Sequence, residues 1–368
     1  MLKSRLCIAF FAFAVGCAPA QKPLTDYVNP MLGTATLWDS VDLGFKPTKR
    51  TWGAEVFPGS SLPNAMVQVS PVTKFHSGAG YQYEDSVIYG FTHTNKGHWN
   101  LCHIPLLPVT GTPTPGDYCS PFSHERESAA PGYYQVFLDR YGVDAQLSST
   151  LRCAFHKYTY PAGAAASLLA DLQRSNEHVR AWDIRKEGDN VFAGWQQTGE
   201  KMYFYAVANR PVTGIEPVVE GDREVRIVRF GEGDGALELR IGFSFVSEKN
   251  ARENLEAEML GKSFAEVRSE ATATWNDLLG RIRVEGGTER EKGLFYSSLY
   301  RSFLWPALRS DVNGEFTDVD GKVINPGFRY YTGPSYWDDY RNKLILLGML
   351  APDVAADVIS SDTDKGEK

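Results

Sequence analysis

The change of period at Phe245 sets the architecture. Between Tyr133 and Phe245 the chain runs as short β-branched and aromatic stretches cut by turn residues, at 134–138, 143–152, 155–160, 191–195, 202–207 and 225–230. Many short strands at regular spacing predict a β-sandwich. Upstream, residues 65–69, 87–92 and 104–109 are also strand-like, with long loops bearing glycine and proline between them. Loops of that length in a compact domain tend to carry function. After Phe245 the apolar residues fall at helical spacing. Ser263 and Glu266 form a capping box ahead of Phe264, Val267, Ala271, Trp275, Leu278 and Leu279, and a second box, Thr288 with Glu291, opens a helix over 294–304.

The helical signal lapses between Trp305 and Tyr331, where Asn313-Gly314 and Asp320-Gly321 mark turns. The stretch from Asp311 to Glu315 has some flavour of a calcium loop, but it lacks the twelve-residue ligand order and reads as a hairpin turn. A third helix is expected from 335 to 350, ended by Pro352, and a fourth from 354, with no capping device or packing partner. An all-β domain followed by the opening helices of an α domain accounts for this order.

A chain of 368 residues, 43% hydrophobic, is long enough for two domains. A formal charge of -7 without a long basic run argues against a nucleic-acid partner. The start is a basic segment, Lys3 and Arg5, followed by a short apolar run, which reads as an export signal over 1–20. Cleavage after Ala20 follows Ala18-Pro19-Ala20; alternatively Ala14-Val15-Gly16-Cys17 resembles a lipobox that would leave Cys17 lipidated and the protein membrane-anchored. Cys102, Cys119 and Cys153 then remain, an odd number that builds no disulfide framework. His93, His98 and His103 sit at regular intervals in a loop and are read as hydrogen-bonding residues rather than zinc ligands.

The stretch from Tyr330 to Arg341 sets aromatics, carboxylates and an arginine at the mouth of a helix. Ser335 with Asp338 reads as a capping box, and Trp337 and Arg341 share a face at i, i+4. A flat indole beside fixed polar forks suits a carbohydrate, whose C–H face stacks while its hydroxyls are hydrogen-bonded. The same residues also fit a plain helix cap over a core tryptophan.

Six segments in order resemble glycoside hydrolase family 92, the calcium-dependent exo-acting α-mannosidases. They are Tyr27-Val28-Asn29-Pro30-Met31-Leu32-Gly33-Thr34, the run from Val56 to Pro71, Gly90-Phe91-Thr92-His93-Thr94, Phe122-Ser123-His124-Glu125, Pro131-Gly132-Tyr133-Tyr134 and the Ser335 to Arg341 block. The resemblance implies a β-sandwich N-terminal domain over 21–248, an α-helical linker over 249–285 and, over 286–368, the first helices of a truncated (α/α)6 barrel. The active site would lie where sandwich and barrel meet.

Carried over by position, Trp337, Asp338 and Arg341 resemble the Trp-Asp-x-x-Arg block that grips the terminal mannose, and Phe57 its Phe-Pro-Gly loop. His98 and Trp99 are similar in place to the loop of the leaving-group subsite. There the chain departs from the His-x-x-Ser-Gly-x-Gly pattern of its relatives, reading Thr94-Asn95-Lys96-Gly97-His98-Trp99-Asn100, which leaves linkage preference open. The resemblance further implies single displacement with inversion and a Ca2+ ion on the mannose hydroxyls. The acid, the base and the calcium ligands are expected beyond Lys368, so this chain alone is expected to be inactive and no residue in it is assigned those roles. The implied partners are mannose-containing glycans, and the implied location is periplasmic or extracellular. A carbohydrate-binding sandwich without catalysis and a structural envelope protein are the competing readings.

Overall fold

The computed structural model describes residues 22–36, 44–46, 54–94, 101–333 and 335–368. The export segment with Cys17, and the candidate residues His98 and Trp99, lie outside the described residues.

Among the described residues, two antiparallel sheets form the sandwich. One runs, in spatial order, Ser60–Ser61, Gln68–Val72, Gly90–Thr92, Leu106–Val109, Ser167–Ala170, Arg223–Phe230 and Val212–Glu220. The other runs Ala181–Gly188, Val191–Gln197, Lys201–Ala208, Leu237–Ser244, Cys153–Thr159, Val143–Ser149, Tyr133–Leu138 and Glu127–Ala130. Within Lys201–Ala208 burial alternates strictly, with Met202, Phe204, Ala206 and Ala208 facing the core. That period of two packs one face of each strand into the shared interior.

Three strands without a sequence signal lack that alternation. Ser167–Ala170 is buried at every position, and Ala181–Gly188 and Val212–Glu220 are end strands of their sheets, rich in polar and exposed residues. The strand expected over 65–69 begins instead at Gln68. Asn64 takes a left-handed conformation (φ 53°), and the Met66 and Val67 N–H groups both donate to the Leu151 carbonyl at 2.9 and 3.2 Å. Those donors go to a loop rather than a neighbouring strand.

The second sheet is covered on its outer side by helices, so parts of its middle strands, 153–156 and 241–244, are buried on both faces. Glu248–Glu258 (α1) lies across Leu237–Ser244 and Lys201–Ala208. Leu255 and Met259, with Phe264 and Val267 of Phe264–Leu279 (α2), close a second apolar cluster over Cys153 and Phe155. Gly242 allows this approach, since a Cβ there would stand 2.1 Å from the Ala251 carbonyl oxygen. Trp275 of α2 is fully buried and donates from Nε1 to the Ser61 carbonyl at 2.7 Å. Both capping boxes form, Ser263 with Glu266 on α2 and Thr288 with Glu291 on Glu289–Ser302 (α3).

The remaining chain makes a hairpin, Phe316–Thr317 against Val323–Ile324, and three more helices. The single helix expected over 335–350 is two, Tyr336–Asp339 (α4) and Lys343–Leu350 (α5), separated at Asn342 (φ −145°). Asp339 brackets the break, taking the Ser335 backbone N–H at 3.2 Å on one side and Lys343 Nζ at 3.3 Å on the other. Pro352 opens Pro352–Gly366 (α6), where its missing N–H costs nothing. This last helix also has packing partners, contrary to the sequence expectation. Ser361 Oγ accepts from the Tyr331 N–H at 3.0 Å, Lys365 Nζ donates to the Tyr331 carbonyl at 2.9 Å, and Lys368 pairs with Asp318 at 2.8 Å.

Candidate functional site

Sandwich and helices are joined by one buried carboxylate. Asp311 accepts from Asn254 Nδ2 at Oδ1 (2.7 Å) and from Ser244 Oγ (2.6 Å) and Asn250 Nδ2 (2.9 Å) at Oδ2. Asn250 and Asn254 stand one turn apart on α1, so both amides reach the same carboxyl. Beside it Arg152 donates to the Ser310 carbonyl at 2.8 Å and pairs with Glu258 at 2.6 Å. Burial pushes the Asp311 carboxyl up to about 6, against the pull of its three donors.

The same geometry tests the calcium reading of 311–315. The carboxylate oxygens of Asp311 and Glu315 face N–H and O–H donors, Asn250 and Asn313 both donating to Glu315 Oε2 at 2.9 and 3.0 Å. A turn is closed by Gly314 N–H to the Asp311 carbonyl at 3.0 Å. Among the described residues no group of three or more His, Cys, Asp or Glu side chains converges to hold a metal ion. With their carboxylate oxygens taken by those donors, residues 311–315 form a structural turn.

Tethered above this joint is a cleft of about 690 Å³. Its walls are the turn from Gln197 to Tyr203 on the sandwich, Arg309, the 316–324 hairpin and the strand-like segment ending at Gly333. That segment is held to 307–310 by a bridge between Leu308 and Tyr331 and by Thr332 N–H to the Ala307 carbonyl at 2.9 Å. Arg309 pairs with Glu200 and lies 3.8 Å from the centre of the Phe245 ring, and Lys201 lies 3.6 Å from that of Trp195. Tyr330 stacks on Phe316 at 3.5 Å. Composition alone gave no pointer to Arg309 or Glu200, since isolated charges in turns are ordinary; only the fold sets them against aromatic faces.

Three residues past the cleft rim the aromatic block begins. Trp337 is 89% exposed, and Tyr336 and Tyr340 are exposed beside it. Arg341 donates from Nε to the Tyr340 hydroxyl at 2.7 Å and lies 5.4 Å from that ring's centre, while Tyr336 donates to Asp362 on α6 at 2.5 Å. The Asp338 backbone lies in α4, and its side chain is outside the described set. Phe57 is only 5% exposed and belongs to the main core, in the cluster that also takes Tyr331. The block is thus an open aromatic face on a short helix, whereas Phe57 is packed in the main core.

Of the loop histidines, His93 and His103 are bound up in the sandwich. The Ile104 carbonyl can only accept, so His93 Nδ1–H donates to it (2.9 Å), His93 Nε2 accepts from His156 Nε2–H (2.9 Å), and His156 Nδ1 accepts from the Tyr158 hydroxyl (2.6 Å). His103 lies between Thr94 Oγ1 at 2.9 Å and Thr198 Oγ1 at 3.0 Å. Burial holds His93 down to about 3 and His103 to about 4, and lowers His156 well below the imidazole range. These are neutral hydrogen-bonding rings. Cys102, Cys119 and Cys153 are all free thiols.

Comparison with known proteins bears on this arrangement directly. Residues 27–254 match the N-terminal domain of glycosyl hydrolase family 92, and residues 250–368 match its catalytic domain. A family GH92 α-mannosidase from Bacteroides thetaiotaomicron superposes with a TM-score of 0.85 at 26% identity, covering 95% of this chain and 50% of that one. The same enzyme in complex with mannoimidazole gives a TM-score of 0.84 at 27% identity, covering 94% and 49%. A family GH92 inverting mannosidase from the same species gives 0.79 at 25% identity, covering 92% and 48%. An uncharacterized secreted glycosidase of Arthroderma benhamiae is 24% identical over 344 residues, 78% of this chain and 42% of its own length. The chain spans about half the length of these proteins. With both its β-sandwich and its helical part matched in sequence and in fold, the chain belongs to glycosyl hydrolase family 92.

Proposed function

We propose that the protein is an exported exo-acting α-mannosidase that hydrolyses terminal α-mannosidic bonds of glycans with inversion. The observation that carries this is the superposition over 95% of the chain on an α-mannosidase that has also been solved with mannoimidazole. In this reading the chain supplies the sandwich and part of the mannose-binding wall. The Trp337 indole, open to solvent, takes the C–H face of the terminal sugar. Arg341, oriented by the Tyr340 hydroxyl, presents its remaining guanidinium N–H groups to sugar oxygens, with Asp338 as the accepting partner. Phe57 supports the pocket from the core, and His98 and Trp99 flank the leaving group.

Inversion requires a protonated carboxyl at the leaving oxygen and a carboxylate on the opposite face, spaced by about 6.5–9.5 Å to admit water. Neither role is assigned to a residue of this chain. Calcium belongs to the same proposal, with ligands other than the described residues; it would template the mannose hydroxyls. Export follows from the signal-like start and from the secreted relative, and a lipid on Cys17 would retain the protein at the membrane. No helix among the described residues is long and apolar enough to cross a membrane.

The test is mannose release from a panel of α-mannobioses, with calcium and with chelator. The protein is expressed at the length its gene encodes, and beside it as the 368-residue chain. Turnover by the former alone, abolished by chelator, is expected. Sugar binding without turnover in either would replace the hydrolase with a binding module.

A further inference from the structure

We propose that the hollow beside the end strand Ala181–Gly188, where the 173–180 loop enters it, binds an oxyanion: a phosphate, sulfate or carboxylate group, free or carried by a sugar. The hollow has a volume of about 730 Å³, enough for a small ligand. Arg174, Arg180 and Arg223 line it together with His76 and His178, and Glu177 is the acidic residue among its lining. All of these belong to the sandwich and none to the helices. The site is therefore separate from the hydrolase reading above.

Charge is the first support. The chain carries a net -7, and arginines such as Arg140, Arg229 and Arg185 each have a carboxylate of their own, Asp117 at 2.6 Å, Glu216 at 3.0 Å and Glu248 at 2.8 Å. In the hollow the balance differs. The fully buried Asp171 serves two guanidinium groups, Arg223 Nη2 at 2.5 Å and Arg174 Nε at 3.7 Å. Arg180 is exposed and has no carboxylate partner among the described residues. Three guanidinium groups thus stand against two carboxylates, Asp171 and Glu177, on a concave surface that concentrates their field. One such hollow on an acidic chain suits a single oxyanion; a polyphosphate backbone needs several cations in a row.

Orientation is the second support. The Arg174 guanidinium lies 5.4 Å from the centres of both the Phe75 and Tyr89 rings and 5.8 Å from that of Tyr118, and its Nη1 donates to the Tyr118 hydroxyl at 3.3 Å. Arg223 donates from Nη1 to the Pro115 carbonyl at 2.8 Å and from Nη2 to Asp171. Both side chains are nevertheless about one-third exposed, 33% and 30%. A guanidinium has five N–H donors, so each keeps donors to spare for a ligand. Forks held in place match two oxygens of an oxyanion and lose little freedom when it binds.

The experiment is calorimetric titration of inorganic phosphate, inorganic sulfate, glucose-6-phosphate and glucuronate into the protein at the length its gene encodes. It is repeated on Arg174→Gln, Arg180→Gln and Glu177→Gln. Saturable binding of at least one of the four is expected, weakening as salt is raised. Arg174→Gln and Arg180→Gln should each reduce that affinity about ten-fold through the loss of a charge-assisted hydrogen bond. Glu177→Gln removes the opposing charge but keeps an acceptor for the Gly199 N–H, 3.4 Å away, and should raise the affinity about three-fold. Free ions that bind as well as the sugar acids assign the site to the ion itself, and sugar acids about ten-fold tighter assign it to an anionic saccharide. No saturable binding of any of the four overturns the site, as does binding that all three variants leave unchanged. Arg180→Gln and Glu177→Gln, both at exposed positions, decide the matter if Arg174→Gln, packed among three rings, fails to fold.

Discussion

Asn254 donates a 2.7 Å hydrogen bond to Asp311, and with it the helix that covers the sandwich is fastened to the segment that leads toward the aromatic block at 336–341. Asn254 also holds the Phe243 carbonyl at 2.8 Å and the Val312 N–H at 2.9 Å, so one side chain satisfies three buried groups. Asn254→Ala is expected to lower stability by about 2–4 kcal/mol, because each partner is left unpaired in the interior. Urea unfolding followed by tryptophan fluorescence measures it; a loss within 0.5 kcal/mol, the range of a surface change, would contradict the joint.

Acidification should destabilise the fold through the histidines. His93 and His103 are held down to about 3 and 4 by burial, and His156 is lowered as well. The unfolded chain takes up those protons near pH 6.5, so this stability is intact above 6.5 and is lost as pH falls toward the folded values. His93 and His103 each contribute about 2 kcal/mol of loss by pH 5, and His156 acts in the same direction. Asp311, pushed up to about 6, works in the opposite direction between 6 and its ordinary range, since its protonation favours the folded form. Three rings outweigh one carboxyl, and scanning calorimetry between pH 7 and pH 5 is expected to show a falling Tm.

At Gly242 the constraint is contact rather than backbone angle. An added Cβ would meet the Ala251 oxygen at 2.1 Å and the Leu255 Cβ at 2.8 Å, which α1 can relieve only by lifting off the sheet. Lifting it also breaks the two asparagine bonds to Asp311. Gly242→Ala is expected to cost about 3 kcal/mol or more. Chemical denaturation reads this, and proteolysis within 248–258 should accelerate in the variant.

Trp337→Ala separates binding from folding. A side chain 89% exposed contributes little to packing, so Tm should stay within about 2 °C of the parent. Affinity for methyl α-mannoside should fall about five- to ten-fold with the loss of the stacking face. Equal affinity in parent and variant would remove Trp337 from the mannose wall.

Much of this architecture is legible residue by residue. The alternation in Lys201–Ala208 and the boxes at Ser263 and Thr288 are local signals, and each forms as read. Ser167–Ala170 gave none, because a strand buried on both faces has no alternation to show. The break at Asn342 was hidden because apolar spacing continues across it; the extended φ of −145° there becomes visible only in three dimensions.

By itself, then, the amino-acid order determined the sandwich, the switch to helices and, through six ordered segments, the family. These rest on short-range periodicity, caps and motifs. Tertiary structure alone decided that the calcium-like turn at 311–315 is filled by amide and hydroxyl donors, that His93 and His103 are neutral and buried, and that Glu200, Arg309 and Tyr330 share a cleft. Those facts depend on residues 50 to 130 positions apart meeting in space, and a charge or hydroxyl shows its partner, or the lack of one, only when the surrounding chain has closed over it.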